Sequence, residues 1–220
     1  MKIYALKISD TMEEFKTEQL NQLVPAFRRD MYQRYRNEAD RERCLVAGVL
    51  LSYCMNEKGV SLEETPYFNK AGKLYFPGVD GFYVNLSHGG DYAACAWDTE
   101  EIGVDMEPLR KFKEATAKRI CTKTEAQSLS SYQQEEEKNQ AFTILWTRKE
   151  SMAKLLGEGI AVLFHADDLQ ALCEKEGICL QTYDSIPGYV ISVASRKNVF
   201  PRDITVLSPE SLKQLHQQFH

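Results

Sequence analysis

The stretch Ile102-Gly103-Val104-Asp105-Met106-Glu107 alternates apolar with small or acidic residues, the period of a strand, and so sets Asp105 and Glu107 on one face. Two similar successions of elements flank it. On the N-terminal side, residues 1–8 read as a strand, and residues 12–57 carry helical periodicity with Pro25 and Asn37 as break points. Short alternating runs at 73–76, 82–86, 92–97 and 102–107, separated by glycines and Asp98, predict an antiparallel meander. On the C-terminal side, helical patterns cover 112–120, 122–132 and 136–156, the last ending at Gly157 as a helix C-terminus would. Strand-like runs at 160–164, 177–183, 189–194 and 204–207, with a short helix near 167–176, complete the chain. Helices followed by strands thus occur twice, which predicts an α+β fold of two halves, 1–102 and 103–220.

The bulk numbers fit that division. A chain of 220 residues, 43% hydrophobic and 27% charged, has enough interior for two packed halves with a cleft between them. A net charge of −5 argues against a general nucleic-acid binder, since affinity for the phosphate backbone needs an excess of clustered Lys and Arg. The longest apolar run, 45–55, is well short of the roughly 20 residues of a membrane span and reads as a buried helix. The first residues offer neither a long apolar core nor a small-residue cleavage site, so a cytoplasmic protein is expected. Six scattered cysteines, with no C-x-x-C pair, read as reduced packing residues. The four histidines make no H-x-x-x-H spacing, which argues against zinc.

Several groups of residues have chemical potential. Asp105 and Glu107, adjacent on one strand face, either hold a hard cation such as Mg²⁺ or form an acidic solvent face. In the long helix, Trp146, Glu150 and Lys154 recur at i, i+4 and i+8 beside a buried stripe of Leu145, Met152, Leu155 and Leu156. The carboxylate and ammonium could complete a metal and phosphate site, or make an ordinary surface pair. In Asn85-Leu86-Ser87-His88-Gly89-Gly90, neighbouring Ser and His point to opposite faces, which rejects a hydrolase triad and leaves a phosphate-binding turn or a plain one. Arg28, Arg29, Arg34, Arg36, Arg41 and Arg43 alternate with acids, and one or two of them could hold a phosphate monoester. Lys73, in a turn, is equally open. Thr122-Lys123-Thr124-Glu125 fits a capping box, which competes with a site role for Glu125.

Taken together, Asn85-Leu86-Ser87-His88, the stretch 102–107 and Trp146-Thr147-Arg148-Lys149-Glu150-Ser151-Met152-Ala153-Lys154 resemble the 4′-phosphopantetheinyl transferases of the larger, surfactin-synthetase-activating type. The resemblance covers essentially the whole chain. It implies a pseudo-dimer with the active site in the cleft between the halves, Mg²⁺ as cofactor, coenzyme A as co-substrate, and an acyl- or peptidyl-carrier protein as partner of a monomeric enzyme. It further implies that Asp105, Glu107 and Glu150 bind the metal and that Ser87 and His88 contact coenzyme A phosphates. Lys154 would hold the pyrophosphate, while Arg28, Arg43 and Lys73 would serve the adenosine end. Glu150 is the first choice of base and Glu125 the second. An apolar carrier-docking patch is expected around 122–127 and 155–171, with Leu163 and Phe164. The chain departs from the family pattern at Arg28, Met31, Leu74 and Gly89, which touches nucleotide binding more than the metal ligands. Two rivals remain: a metal-dependent phosphohydrolase or nuclease, which lacks a basic strand-binding face here, and a non-catalytic binder of coenzyme A or carrier.

Overall fold

A computed structural model describes residues 1–163 and 167–218. The chain is α+β, and the elements follow in the order β1 (Lys2–Lys7), α1 (Ile8–Glu14), α2 (Thr17–Leu23), α3 (Ala26–Arg34), α4 (Glu38–Lys58), β2 (Tyr67–Phe68), β3 (Leu74–Tyr75), β4 (Tyr83–Gly89), β5 (Tyr92–Asp98) and β6 (Ile102–Pro108). After β6 come α5 (Glu114–Ile120), α6 (Lys123–Ser131), α7 (Glu135–Leu156), α8 (Leu169–Glu176), β7 (Cys179–Tyr183), β8 (Tyr189–Ser195), β9 (Thr205–Leu207) and α9 (Pro209–Gln218).

The expected meander does not form. β4 and β5 are antiparallel neighbours, but β5 continues to β1, giving a sheet of order β4-β5-β1-β9, whereas β6 pairs with β8 in a second sheet of order β6-β8-β7. Local alternation identifies a strand but carries no information on its partner, and β6 finds its partner about 90 residues later in the apolar strand β8. The run expected as a strand at 160–164 is instead a single 3₁₀ turn, Ile160–Leu163, and Phe164 lies outside the described residues. The chain's last strand, β9, returns to pair in parallel with β1 of the first sheet.

Alternation along the strands builds the layers. On one face of the first sheet, Tyr4, Leu6, Ala93 and Cys95 pack on α4, whose residues Leu45 to Leu51 are buried all round. Asn37 opens that helix by accepting the Ala39 N–H at 2.9 Å, and Gly59, with φ 77°, closes it in the left-handed conformation. On the opposite face, Ile3, Ala5, Ala94 and Ala96 meet Ile102, Val104 and Met106 of β6 and Ile191 and Val193 of β8. Small side chains at Ala5, Ala94 and Ala96 let the two sheets approach closely. The outer face of the second sheet carries α7, seated through Met152, Ala153 and Leu155. The order is therefore helix, sheet, sheet, helix, and β6 lies in the interior with Asp105 buried at 4% exposure.

Candidate active site

The seam between the sheets is made by side chains. β4 lies against β6 without a backbone ladder, so the β6 N–H groups that face away from β8 need other partners. Asn85 Oδ1 accepts the Val104 N–H at 2.9 Å, and two residues on Ser87 Oγ accepts the Met106 N–H at 3.2 Å. The period of two on β4 thus matches the period of two on β6. Beyond Ser87 the strands converge further: a Cβ on Gly89 would sit 2.5 Å from the Met106 carbonyl oxygen. That close approach leaves no room for a side chain at position 89.

This seam delivers Ser87 to the acidic face of β6. The Ser87 hydroxyl donates to Asp105 Oδ1 at 2.8 Å, and Lys154 Nζ donates to the same carboxylate oxygen at 2.8 Å and to Ser87 Oγ at 3.0 Å. Lys154 reaches them because α7 lies almost on the β6 backbone, where a Cβ on Gly103 would be 2.0 Å from the Ser151 carbonyl oxygen. Three elements distant in sequence therefore meet at one hydrogen-bonded triangle.

A cavity of about 330 Å³ opens beside it. Its lining combines Asp105, Glu107, Glu150 and Lys154 with Ser87 and His88 of β4 and with Arg28, Met31, Tyr35, Cys44, Ala47 and Leu86. The buried Asp105 Oδ2 has no hydrogen-bond partner among the described residues. Glu107 is ion-paired with Arg110, whose guanidinium lies 5.0 Å from the Trp146 ring centroid. Burial pushes the Glu107 carboxyl up, with the Asp105 charge adding to the effect and Arg110 opposing it. Glu150 is likewise pushed up, first by burial and then by Asp105, with Lys154 opposing. His88 is pushed down by desolvation and then by the nearby charges of Lys154, Arg43 and Arg28. At neutral pH its ring is uncharged and open to a ligand.

Among the described residues no three His, Cys, Asp or Glu side chains already converge as a ready metal site. Lys154 and Arg110 hold two of the three carboxylates instead. The donor set still fits a hard cation: the three carboxylates offer only oxygens, one buried Asp105 oxygen is unpartnered among the described residues, and burial, with the Asp105 charge adding to it, raises the carboxyls of Glu107 and Glu150.

The profile of the 4′-phosphopantetheinyl transferase superfamily matches residues 101–194, the span that holds β6 and α7. Over 96% of its length the chain is 30% identical to the whole of the 4′-phosphopantetheinyl transferase ffp of Bacillus subtilis. It is 28% identical to the 4′-phosphopantetheinyl transferase Sfp of Bacillus subtilis strain 168, again over 96% of this chain and 100% of that protein. It is also 30% identical to psf-1 of Bacillus pumilus, over 96% and 97% of the two chains. The chain belongs to the Sfp-type 4′-phosphopantetheinyl transferases.

In this member of the transferase family, the remaining residues singled out by sequence fall elsewhere. Lys73 does not line the cavity. It is buried, donating to the Leu155 carbonyl at 2.6 Å and to Glu101 at 3.2 Å, where it neutralises the C-terminal end of α7. Arg43 pairs with Asp40 at 2.6 Å and does not line the cavity, although its charge contributes to lowering the His88 pKa. Arg28 does line the cavity, but one of its nitrogens is taken by the Cys44 carbonyl at 2.6 Å, while its buried Nε is unpartnered. Glu125 sits at the head of α6 as the capping-box residue, accepting the Thr122 N–H at 2.9 Å. It also accepts from Lys149 Nζ at 2.6 Å and from the Leu169 N–H at 3.1 Å. It lines a separate, larger depression of about 880 Å³ with Leu129, Tyr132 and Leu145. Size alone would favour that depression, but it lacks the carboxylate–lysine triangle. In the expected docking region Leu163 is buried, and Phe164, His165 and Ala166 lie outside the described residues, as does His220.

Sequence reasoning passed over three residues. Lys149 is fully buried, and its signal was its place in the stripe Leu145, Lys149, Met152, where a lysine demands a partner. Asn85 was visible only as part of a motif. Arg110 carried no signal beyond its spacing of three from Glu107.

Proposed function

We propose that the chain transfers the 4′-phosphopantetheine arm of coenzyme A to a serine hydroxyl of an acyl- or peptidyl-carrier protein, releasing adenosine 3′,5′-bisphosphate. The observation that carries this reading is the meeting of Asp105, Glu107, Glu150 and Lys154 beneath Ser87 and His88 in one cavity. Polyanion and cation donors are adjacent there, as attack on a pyrophosphate requires.

In the proposed reaction the carrier serine oxygen forms a bond to the β-phosphorus, and the bond from that phosphorus to the bridging oxygen of the pyrophosphate breaks. The leaving oxygen gains negative charge, which Lys154 is placed to meet. His88 and Arg28 flank the cavity as contacts for the remaining phosphate oxygens. Asp105, Glu107 and Glu150 would hold Mg²⁺, which supplies charge neutralisation of the pyrophosphate when bound. Glu150 makes no hydrogen bond or ion pair among the described residues, which leaves it the carboxylate best placed to accept the serine proton. Glu125, already engaged by Lys149 and two backbone N–H groups, is the less suited carboxylate.

Residues 1–102 and 103–220 are read as the two halves of a pseudo-dimer that acts as a cytoplasmic monomer. The face-to-face packing of the two sheets and the position of the cavity at their seam support the division, with β9 of the second half crossing back to the first sheet. The deciding experiment incubates the protein with coenzyme A, Mg²⁺ and an apo carrier protein and weighs the carrier by intact mass spectrometry. A phosphopantetheine mass gain is expected. Retained coenzyme A binding with no gain on fatty-acid, polyketide or peptide carriers would leave an inactive homologue, and released inorganic phosphate would indicate a hydrolase.

A further inference from the structure

The three carboxylates differ in how they are engaged. Asp105 is held by Lys154 and Ser87, and Glu150 has no ion pair among the described residues. Glu107 is closed by a side chain that neither lines the cavity nor belongs to the family motifs, Arg110. The backbone of that arginine is fixed on both sides. Its N–H donates to Thr143 Oγ1 on α7 at 3.0 Å, and the preceding Leu109 N–H donates to the Gly188 carbonyl at 2.8 Å. Its side chain is 40% exposed, against 15% for Glu107, and its guanidinium stays within 5.0 Å of the Trp146 ring centroid. A guanidinium resting on an indole face has a second favourable position when its carboxylate is taken away.

We propose that Arg110 is a built-in competitor for the metal ligand Glu107. In this arrangement a divalent cation enters by exchange: the monocation leaves Glu107 and remains over Trp146, and the dication takes its place. The chain thereby sets its own metal affinity below what three free carboxylates would give. The inference rests on the reading of Asp105, Glu107 and Glu150 as metal ligands, and its test is independent of transfer.

Full-length protein is titrated with Mn²⁺ in the absence of coenzyme A and carrier, with free Mn²⁺ followed by electron paramagnetic resonance. Arg110→Met, which keeps the apolar stem over Trp146, is expected to bind Mn²⁺ about threefold more tightly, the scale of a partly exposed ion pair. Arg110→Lys should lie between the two. In a Glu107→Gln background, which removes the contested carboxylate, Arg110→Met should bring no gain, as the double-mutant cycle requires. Equal or weaker Mn²⁺ binding in Arg110→Met, with circular dichroism unchanged, overturns the competitor role alone. Absence of Mn²⁺ binding in the wild type overturns it together with the metal reading.

Discussion

Lys154 Nζ lies 2.8 Å from Asp105 Oδ1, so β6, the edge strand of the second sheet that faces β4, and the helix outside it share one ion pair at the cavity wall. The pair is half-solvated on the lysine side and buried on the aspartate side. Lys154 is therefore free to turn toward an incoming anion while Asp105 keeps Ser87 as a donor. Lys154→Met is expected to lower transfer by about 10²–10³-fold, the usual effect of removing one preorganised electrostatic partner. Asp105→Ala should abolish transfer. Circular dichroism and intact-mass assays on the same preparations check both, and an active Asp105→Ala protein would contradict the assignment of the site.

Glu150 links the site to stability. Burial and the Asp105 charge hold its folded pKa above the ordinary 4.5, so the folded chain binds its proton more tightly than the unfolded chain. Such a group costs stability as pH rises from its unfolded pKa through its folded one, and the cost is fully present above the folded pKa. Glu150→Gln should therefore raise the Tm of metal-free protein at pH 7.5 and show no such gain at pH 4, while transfer falls by at least about 10²-fold. Differential scanning calorimetry at the two pH values decides it. A lower Tm at pH 7.5 would show that the carboxylate is held by favourable contacts instead.

Asn85 carries a different load. Its side chain supplies the acceptor that a neighbouring strand would supply in a ladder, at the buried Val104 N–H. Asn85→Ala leaves that donor unsatisfied, at a cost of about 1–3 kcal/mol. For a chain of this size the loss corresponds to a fall in Tm of roughly 2–4 °C per kcal/mol. Hydrogen exchange should quicken first at Val104 and Met106 and leave α4 unaffected. Uniform acceleration throughout the chain would mean that the seam is not the weak point.

These residues differ in how far the sequence exposes them. Asp105 and Glu107 share a face because a strand alternates, and Glu150 and Lys154 share one because a helix repeats, so both pairs are legible from spacing alone. The Gly157 end of α7 and the capping box at Glu125 are local signals and recur in the structure. Pairing is not local. β6 and β5 are close in sequence yet enter different sheets, and the reason lies in the small residues Ala5, Ala94 and Ala96, which let sheets stack where a meander would have continued. Lys73 shows the same limit: its turn says nothing about the Leu155 carbonyl 82 residues away, which claims its ammonium. Arg110 and Lys149 act through partners that no spacing rule singles out among the many acids nearby.

Glu125 and Lys149 form the most buried ion pair near the active-site helix, with Nζ and Oε2 2.6 Å apart, the lysine side chain fully buried and the glutamate at 9% exposure. Removing one member strands a charge and costs about 3–5 kcal/mol, whereas replacing both with uncharged groups restores most of the loss. Glu125→Gln is thus expected to lower Tm by roughly 10 °C, and the double variant Glu125→Gln with Lys149→Met to recover at least half of that fall. Measured well below its own Tm, Glu125→Gln should keep transfer within about tenfold of the wild type, because the base proposed above is Glu150. The opposite pattern, an unchanged Tm with transfer abolished, would move the proton acceptor from Glu150 to Glu125 and make the capping box part of the chemistry. Pairing the two measurements on one variant separates the roles, since a carboxylate that only holds α6 and α7 together affects the melting curve before it affects the rate.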